Sequence, residues 1–175
     1  MTSWLKLDIQ GIILELQIGR YQKSNHDIWD EQWNDVGFSL TSGKWLNYQT
    51  GGELLLSIEV EELLDKTNKL LNDELSEVEE IVCIEPDFNF KFYPKRDLRD
   101  DPNYTYVAEG FEITDIYMEW KIYFWSDGLT DNYISLTFDR EDLKMLLNYL
   151  FLITGILEKD SETVNNMIQN GFLYG

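Results

Sequence analysis

Histidine and cysteine carry much of catalytic and metal-binding chemistry, and this chain has one of each, His26 and Cys83. A zinc site needs three or four such ligands, and a nucleophilic triad needs a base held beside its nucleophile. Neither constellation can be assembled. His26 lies in a polar stretch that reads as surface, and no Gly-x-Ser-x-Gly elbow exists. No Gly-x-x-x-x-Gly-Lys loop or Gly-x-Gly-x-x-Gly turn is present to cradle a phosphate. Carboxylates are abundant, and a glycosidase needs little more than two of them across a sugar, but most sit in helix first turns or loops, where solvation explains them. The stretches Asp97 to Asp101 and Asp127 to Asp131 lack the Asp-x-Asp-x-Asp-Gly spacing of a calcium loop. The expectation is a protein that is not an enzyme and uses no cofactor or metal, with a carboxylate enzyme on a neutral glycan as the remaining catalytic alternative.

The chemistry that the residues do offer is contact. Between His26 and Asp35, two tryptophans are interleaved with four acids: Asp27, Trp29, Asp30, Glu31, Trp33 and Asp35. An aromatic anchor ringed by charge is the composition of an interface hot spot, and these six are the candidate partner-binding residues. The plainer account, that Trp29 and Trp33 cap the edge of the core, suffices for at least one of them. The acidic run Asp73 to Glu80 is a second candidate surface, although a solvated helix-to-strand connection is the simpler reading of it.

Charge says what kind of partner would fit. The 175 residues contain 33 Asp and Glu against 14 Lys and Arg, a formal charge of −19. Such a surface repels nucleic acid and anionic lipid and steers a basic partner in; solubility alone is the competing explanation. Hydrophobic residues at 43 % and aromatics at 14 % exceed what a disordered acidic chain carries, so the chain folds. A single cysteine allows no intramolecular disulfide. Lys6 and Asp8 stand where an export signal needs an apolar run, and polar residues interrupt every stretch that could span a membrane. A cytoplasmic single domain, residues 1–175, is expected; its oligomeric state is left open.

The elements that must hold these residues are legible from periodicity. Residues 4–20 alternate on both sides of Gln10-Gly11, the pattern of a hairpin, and residues 22–35 read as a polar loop. Val36 to Leu40, Trp45 to Tyr48 and Leu54 to Ile58 read as a meander of short strands interrupted by Gly51-Gly52. A helix follows over roughly residues 59–72. Strands are expected at Ile81 to Ile84 and Phe88 to Phe92 around a Pro86 turn, at Tyr104 to Ala108, within Phe111 to Trp125, and at Tyr133 to Phe138. In the long run Ile116, Met118, Trp120, Ile122 and Phe124 share one face. Tyr117, Glu119, Lys121, Tyr123 and Trp125 share the other, suited to solvent or to a partner. Asp139 caps a second helix that ends near Gly155, and a third runs from Ser161 to Gly171. The fold class is therefore α+β, mainly antiparallel meanders with two or three helices packed on one side. Leu56 to Leu63 echoes Leu136 to Leu143, a strand passing into an acid-capped helix; convergence on a common strand-to-helix joint explains the echo, and the alternative is two β-meander-plus-helix halves joined into one sheet layer and one helix layer.

The ordered set Trp29-Asp30-x-x-Trp33-Asn34-x-Val36, Leu63-Leu64 in an acidic helix, Ile84-Glu85-Pro86-Asp87-Phe88-x-Phe90, and Leu136-x-Phe138-Asp139-x-Glu141-x-Leu143 resembles the WapI-type immunity proteins of bacteria. The resemblance covers residues 1–155 as an immunity-like core, with 156–175 as a C-terminal helical extension. It implies a cytoplasmic antidote that binds the C-terminal domain of a wall-associated polymorphic toxin, a nuclease acting on tRNA in the namesake system. A nuclease carries a basic groove for phosphates, which an acidic protein could fill. The rival reading is an acidic structural or adaptor domain without a toxin partner.

Overall fold

The structure is a computed structural model that describes residues 3–27 and 31–175. β1 (Trp4–Ile9) and β2 (Ile12–Gly19) form the expected hairpin. Its two-residue turn places Gln10 and Gly11 at φ 53° and 92°, the positive values that match the twist of the flanking strands.

β3 (Trp33–Ser42) pairs with β2 on one side and with β4 (Leu46–Leu56) on the other. Two expectations change here. The polar loop ends before residue 33, because Asp35 pairs with Gly19 and Trp33 with Leu56, so Trp33, Asn34 and Asp35 belong to the strand. Gly51 and Gly52 do not interrupt β4 either. They lie opposite Gly37 and Val36, and a Cβ at Gly51 would stand 3.0 Å from the Val36 carbonyl oxygen, so glycine there permits close backbone approach. One long hairpin with a bulge near Asn34–Asp35 replaces the meander of short strands.

α1 (Ser57–Leu71) follows β4 directly. Then come β5 (Glu79–Val82), β6 (Phe88–Tyr93), the two-residue β7 (Arg96–Asp97), a 3-10 turn at Leu98–Asp100, β8 (Ile113–Thr114), β9 (Tyr117–Trp125) and β10 (Leu129–Phe138). α2 (Arg140–Ile153), α3 (Glu162–Gln169) and β11 (Leu173–Tyr174) complete the chain. No strand forms over Tyr104 to Ala108. The alternation there has no neighbouring strand to pair with, and Tyr104 N instead closes a turn onto the Asp101 carbonyl at 3.1 Å.

The fold is α+β with antiparallel pairing throughout, but the strands do not join in one layer. The order β11-β1-β2-β3-β4 makes one sheet, β10-β9-β6-β5 a second, and β7-β8 a small third. The tail expected to be a helical extension also supplies a strand, β11, which pairs with β1. The two large sheets meet through their apolar faces. Phe38 of the first packs on Phe88 and Trp120 of the second, with ring centroids 5.2 and 5.3 Å apart, and buried residues of both sheets and all three helices form a single cluster. Complete burial of each such side chain contributes roughly 1.5–3 kcal/mol.

The helices cross between the halves. α1 leaves the first sheet and packs on β5, β6 and α2, whereas α2 leaves the second sheet and packs on β1. The echo between the halves holds in architecture with a shifted register. α1 begins after Leu56 and α2 after Asp139, so Glu59 corresponds to Asp142, both at the third helical position. Each carboxylate reaches back to its cap: Glu59 Oε2 accepts from Leu56 N at 2.8 Å, and Asp142 Oδ2 from Asp139 N at 3.1 Å.

Candidate functional site

The loop between β2 and β3 starts at Arg20, whose φ of 59° turns the chain out of the sheet. Ser24 then organises it. Its backbone N–H donates to Glu61 on α1 at 2.7 Å, its hydroxyl donates to Glu31 at 2.8 Å, and the same oxygen accepts from His26 N at 3.0 Å. The Tyr21 hydroxyl also donates to Glu61, at 2.7 Å. Burial first, and then the negative Glu61, push the Tyr21 phenol well up from its ordinary value, so it remains a donor at neutral pH. At the far end, Ser57 N donates to the Gln32 carbonyl, and the Asn34 side chain donates to the Leu55 carbonyl at 3.0 Å. The loop is thus fastened to the first turns of α1.

This framework separates the six candidate residues. Asp27 is exposed beside Asn25, whose side-chain oxygen accepts from the Asp27 amide at 2.8 Å. Glu31 is buried, with one carboxylate oxygen turned to Ser24, and so acts as an internal strut. Trp33 is half-buried at the start of β3. Asp35 is exposed and pairs with Arg20 at 2.5 Å. Trp29 and Asp30 lie outside the described residues. Two acids that the local sequence pattern did not include join the site through the fold. Glu53 of β4 also reaches Arg20, at 3.2 Å, because the bulged β3–β4 pairing places it opposite Asp35. Glu61 enters from α1. The β3–β4 hairpin pattern was the available signal for Glu53; Glu61 had none beyond its position on a helix.

Two clefts of about 270 Å³ each flank Tyr21. One opens among Ile18, Arg20, Leu152 and Lys159, and the other among Lys23, Glu61, Leu64 and Ile156. Exposed acid, half-buried aromatic and adjoining clefts are what a protein partner can grip. Among the described residues, no group of three or more His, Cys, Asp or Glu could hold a metal ion. No helix of the described residues is long and apolar enough to cross a membrane.

The outer face of the second sheet carries the residues expected there. Tyr93 stacks on Tyr117 at 4.4 Å and donates to Glu119 at 3.0 Å, while Tyr123 packs on Tyr133 at 5.2 Å. Lys91 lies over Tyr93 and Lys121 over Tyr133, 5.6 and 5.0 Å from the ring centroids, the spacing of cation–π contacts. Lysine and glutamate are balanced on this face, in contrast to the acid-rich loops.

What the geometry defines is an α+β protein of two large antiparallel sheets and a small third, with acids and aromatic groups presented at its surface. Residues 5–156 match the Immunity protein WapI-like family, and the chain belongs to that family. Membership implies a cognate toxin as partner. No curated protein and no solved structure matches the chain. The matched span ends before α3 and β11, although β11 completes the first sheet.

Proposed function

We propose that this protein binds and neutralises a cognate bacterial toxin domain, a basic nuclease such as a tRNA nuclease, by occupying the groove that would hold the nucleic acid. The observation that carries the proposal is the family match over residues 5–156, and the formal charge of −19 supplies its physics. A groove built for phosphates is lined with lysine and arginine, and an acidic protein competes for it through the same long-range field. The surface formed by the β2–β3 loop with Asp27 and the adjoining strand residues Asp35 and Glu53 is one face for this contact, with Trp29 or Trp33 as its anchor. Glu31 supports that loop from within. The protein would act in the cytoplasm as an inhibitor without catalysis of its own, engaging neither nucleic acid nor membrane.

The test is co-expression with the C-terminal domain of a candidate cognate polymorphic toxin, scored by growth and by recovery of a one-to-one complex. Rescue of growth together with a stable complex is expected. Continued toxicity and no complex would overturn the proposal and leave the adaptor reading in its place.

A further inference from the structure

Four of the exposed large hydrophobic side chains fall within ten residues of one another, three in the excursion between β7 and β8 and the fourth, Ile113, at the start of β8. Tyr104 is 47 % exposed, Tyr106 79 %, Phe111 71 % and Ile113 57 %. The excursion is nevertheless held in one shape by its own backbone. Arg96 pairs with Thr114 and Asp97 with Ile113 to close its neck, and Leu98 N donates to the Glu112 carbonyl at 2.7 Å. Asp101 accepts from both the amide and the side chain of Asn103 at 2.9 Å, Phe111 N closes a turn onto the Ala108 carbonyl, and Gly110 N donates to Glu112 Oε2 at 2.9 Å. Apolar surface that is presented to water in an ordered arm marks an interaction site, and an arm already ordered loses little entropy when a partner arrives.

Its charge selects the partner. Residues 96–112 contain five acids against two arginines. Both arginines are engaged within the arm, Arg96 with Asp101 at 3.1 Å and Arg99 with Asp97 at 2.5 Å, so Asp100, Glu109 and Glu112 are surplus. At the foot of the arm, the Tyr93–Tyr117 stack borders a groove of about 140 Å³ that also includes Glu77 and the two cations Lys95 and Arg96, which are paired with Asp73 and Asp101. A second copy of this chain would bring the same negative arm and the same net charge of −19, and is disfavoured by repulsion. A basic surface is complementary.

We infer that this arm is a docking element for a basic face of the cognate toxin domain, with Tyr106 and Phe111 entering an apolar recess and Asp100 and Glu109 meeting the lysines or arginines around it. The inference rests on the proposed immunity function and assigns to it a surface separate from the face around Asp27 and Asp35.

The experiment is titration of the purified toxin C-terminal domain with the full chain and with two variants, Y106A/F111A and D100N/E109Q. Loss of two anchors is expected to weaken binding by at least about thirtyfold, the scale of a hot spot. Loss of the two acids should slow association and flatten its dependence on salt. Melting temperatures of both variants should match the parent, since the four side chains project into solvent. A parent complex that Y106A/F111A leaves equally tight would overturn the arm alone. Absence of any complex with the parent would overturn both the functional proposal and the role of the arm.

Discussion

The hydroxyl of Tyr149, in the middle of α2, accepts a hydrogen bond from the backbone N–H of Ile18 in β2 at 2.8 Å. The same hydroxyl donates to the Ser3 carbonyl at 3.1 Å, so a helix that grows from the second sheet is fastened to the first. Tyr149 is fully buried, and burial pushes its phenol well up, which keeps the proton in place. Tyr149→Phe would leave the Ile18 donor unpaired inside the protein at a cost of about 1–3 kcal/mol. For a chain of this size each kcal/mol lowers Tm by roughly 2–4 °C. Tyr174→Phe, which removes an exposed bond to Glu15, serves as the control and should change Tm little. Equal melting of the two variants would refute the clamp.

Trp120 holds the contact between the sheets. Its ring lies 4.8 to 5.8 Å from Phe38, Phe88, Phe90 and Phe138, and it is 1 % exposed. Trp120→Ala should cost about 3–5 kcal/mol through lost burial and the cavity left behind. Among the described residues the indole N–H has no hydrogen-bond partner, so Trp120→Phe removes an unsatisfied donor together with volume and should cost markedly less. Denaturant unfolding of the two variants separates these terms; equal losses would mean that the orphan donor is of no consequence.

Stability should rise as the solution is made mildly acidic. Burial, reinforced by the neighbouring Asp139, pushes the Asp142 carboxyl up to about 6, and burial raises Glu59 and Asp87 in the same direction. The folded protein therefore binds protons that the unfolded chain does not, from about pH 6 down to the ordinary aspartate range near 4. Within that window Tm should increase as pH falls. Below it, the lowered carboxyls of Asp97, at about 2, and of Asp115 reverse the trend, because their paired forms are lost on protonation. Asp142→Asn should flatten the rise between pH 7 and 5, and an unchanged slope in a melting series would remove Asp142 as its source.

The outer face of the first sheet contains a steric test. The Trp4 ring lies over Gly37, where an added Cβ would stand 2.5 Å from the ring, and the same ring stacks on Tyr174 at 6.4 Å. Gly37→Ala must displace Trp4 and break that stack, at a cost of about 1–3 kcal/mol. Near-UV circular dichroism should change with the melting temperature; a variant identical to the parent in both would contradict the contact.

Asp35 offers a way to separate binding from folding. Its pair with Arg20 is more than half exposed on both sides, and such pairs contribute about 0–1 kcal/mol. Asp35→Asn should leave Tm nearly unchanged while slowing association with the toxin domain. A large fall in Tm would identify the pair as structural instead.

Much of the architecture follows from local pattern. Period-two alternation placed the first hairpin and the buried face of β9, and apolar repeats at helical spacing behind acidic first turns or a Ser161 cap placed all three helices, because a half-buried strand or helix needs one apolar face whatever it packs against. The net charge and the presence of only one His and one Cys are likewise local facts, legible without any tertiary contact. Pairing was different. That β4 runs through Gly51 and Gly52, that Tyr104 to Ala108 stays out of any sheet, and that the strands divide into two sheets depend on neighbours distant in sequence.

The candidate interface divides the same way. Sequence by itself determined an acidic α+β chain with tryptophans and acids clustered between residues 26 and 35. Tertiary structure decided their roles: Glu31 turned inward to Ser24, Glu53 was brought to Arg20 from another strand, and the aromatic residues of the β7–β8 arm were left in water. The physical reason is that composition and periodicity record what each residue prefers, whereas exposure is settled by which distant segment covers it. Two carboxylates with the same local preference can thus end as a buried strut and an exposed charge.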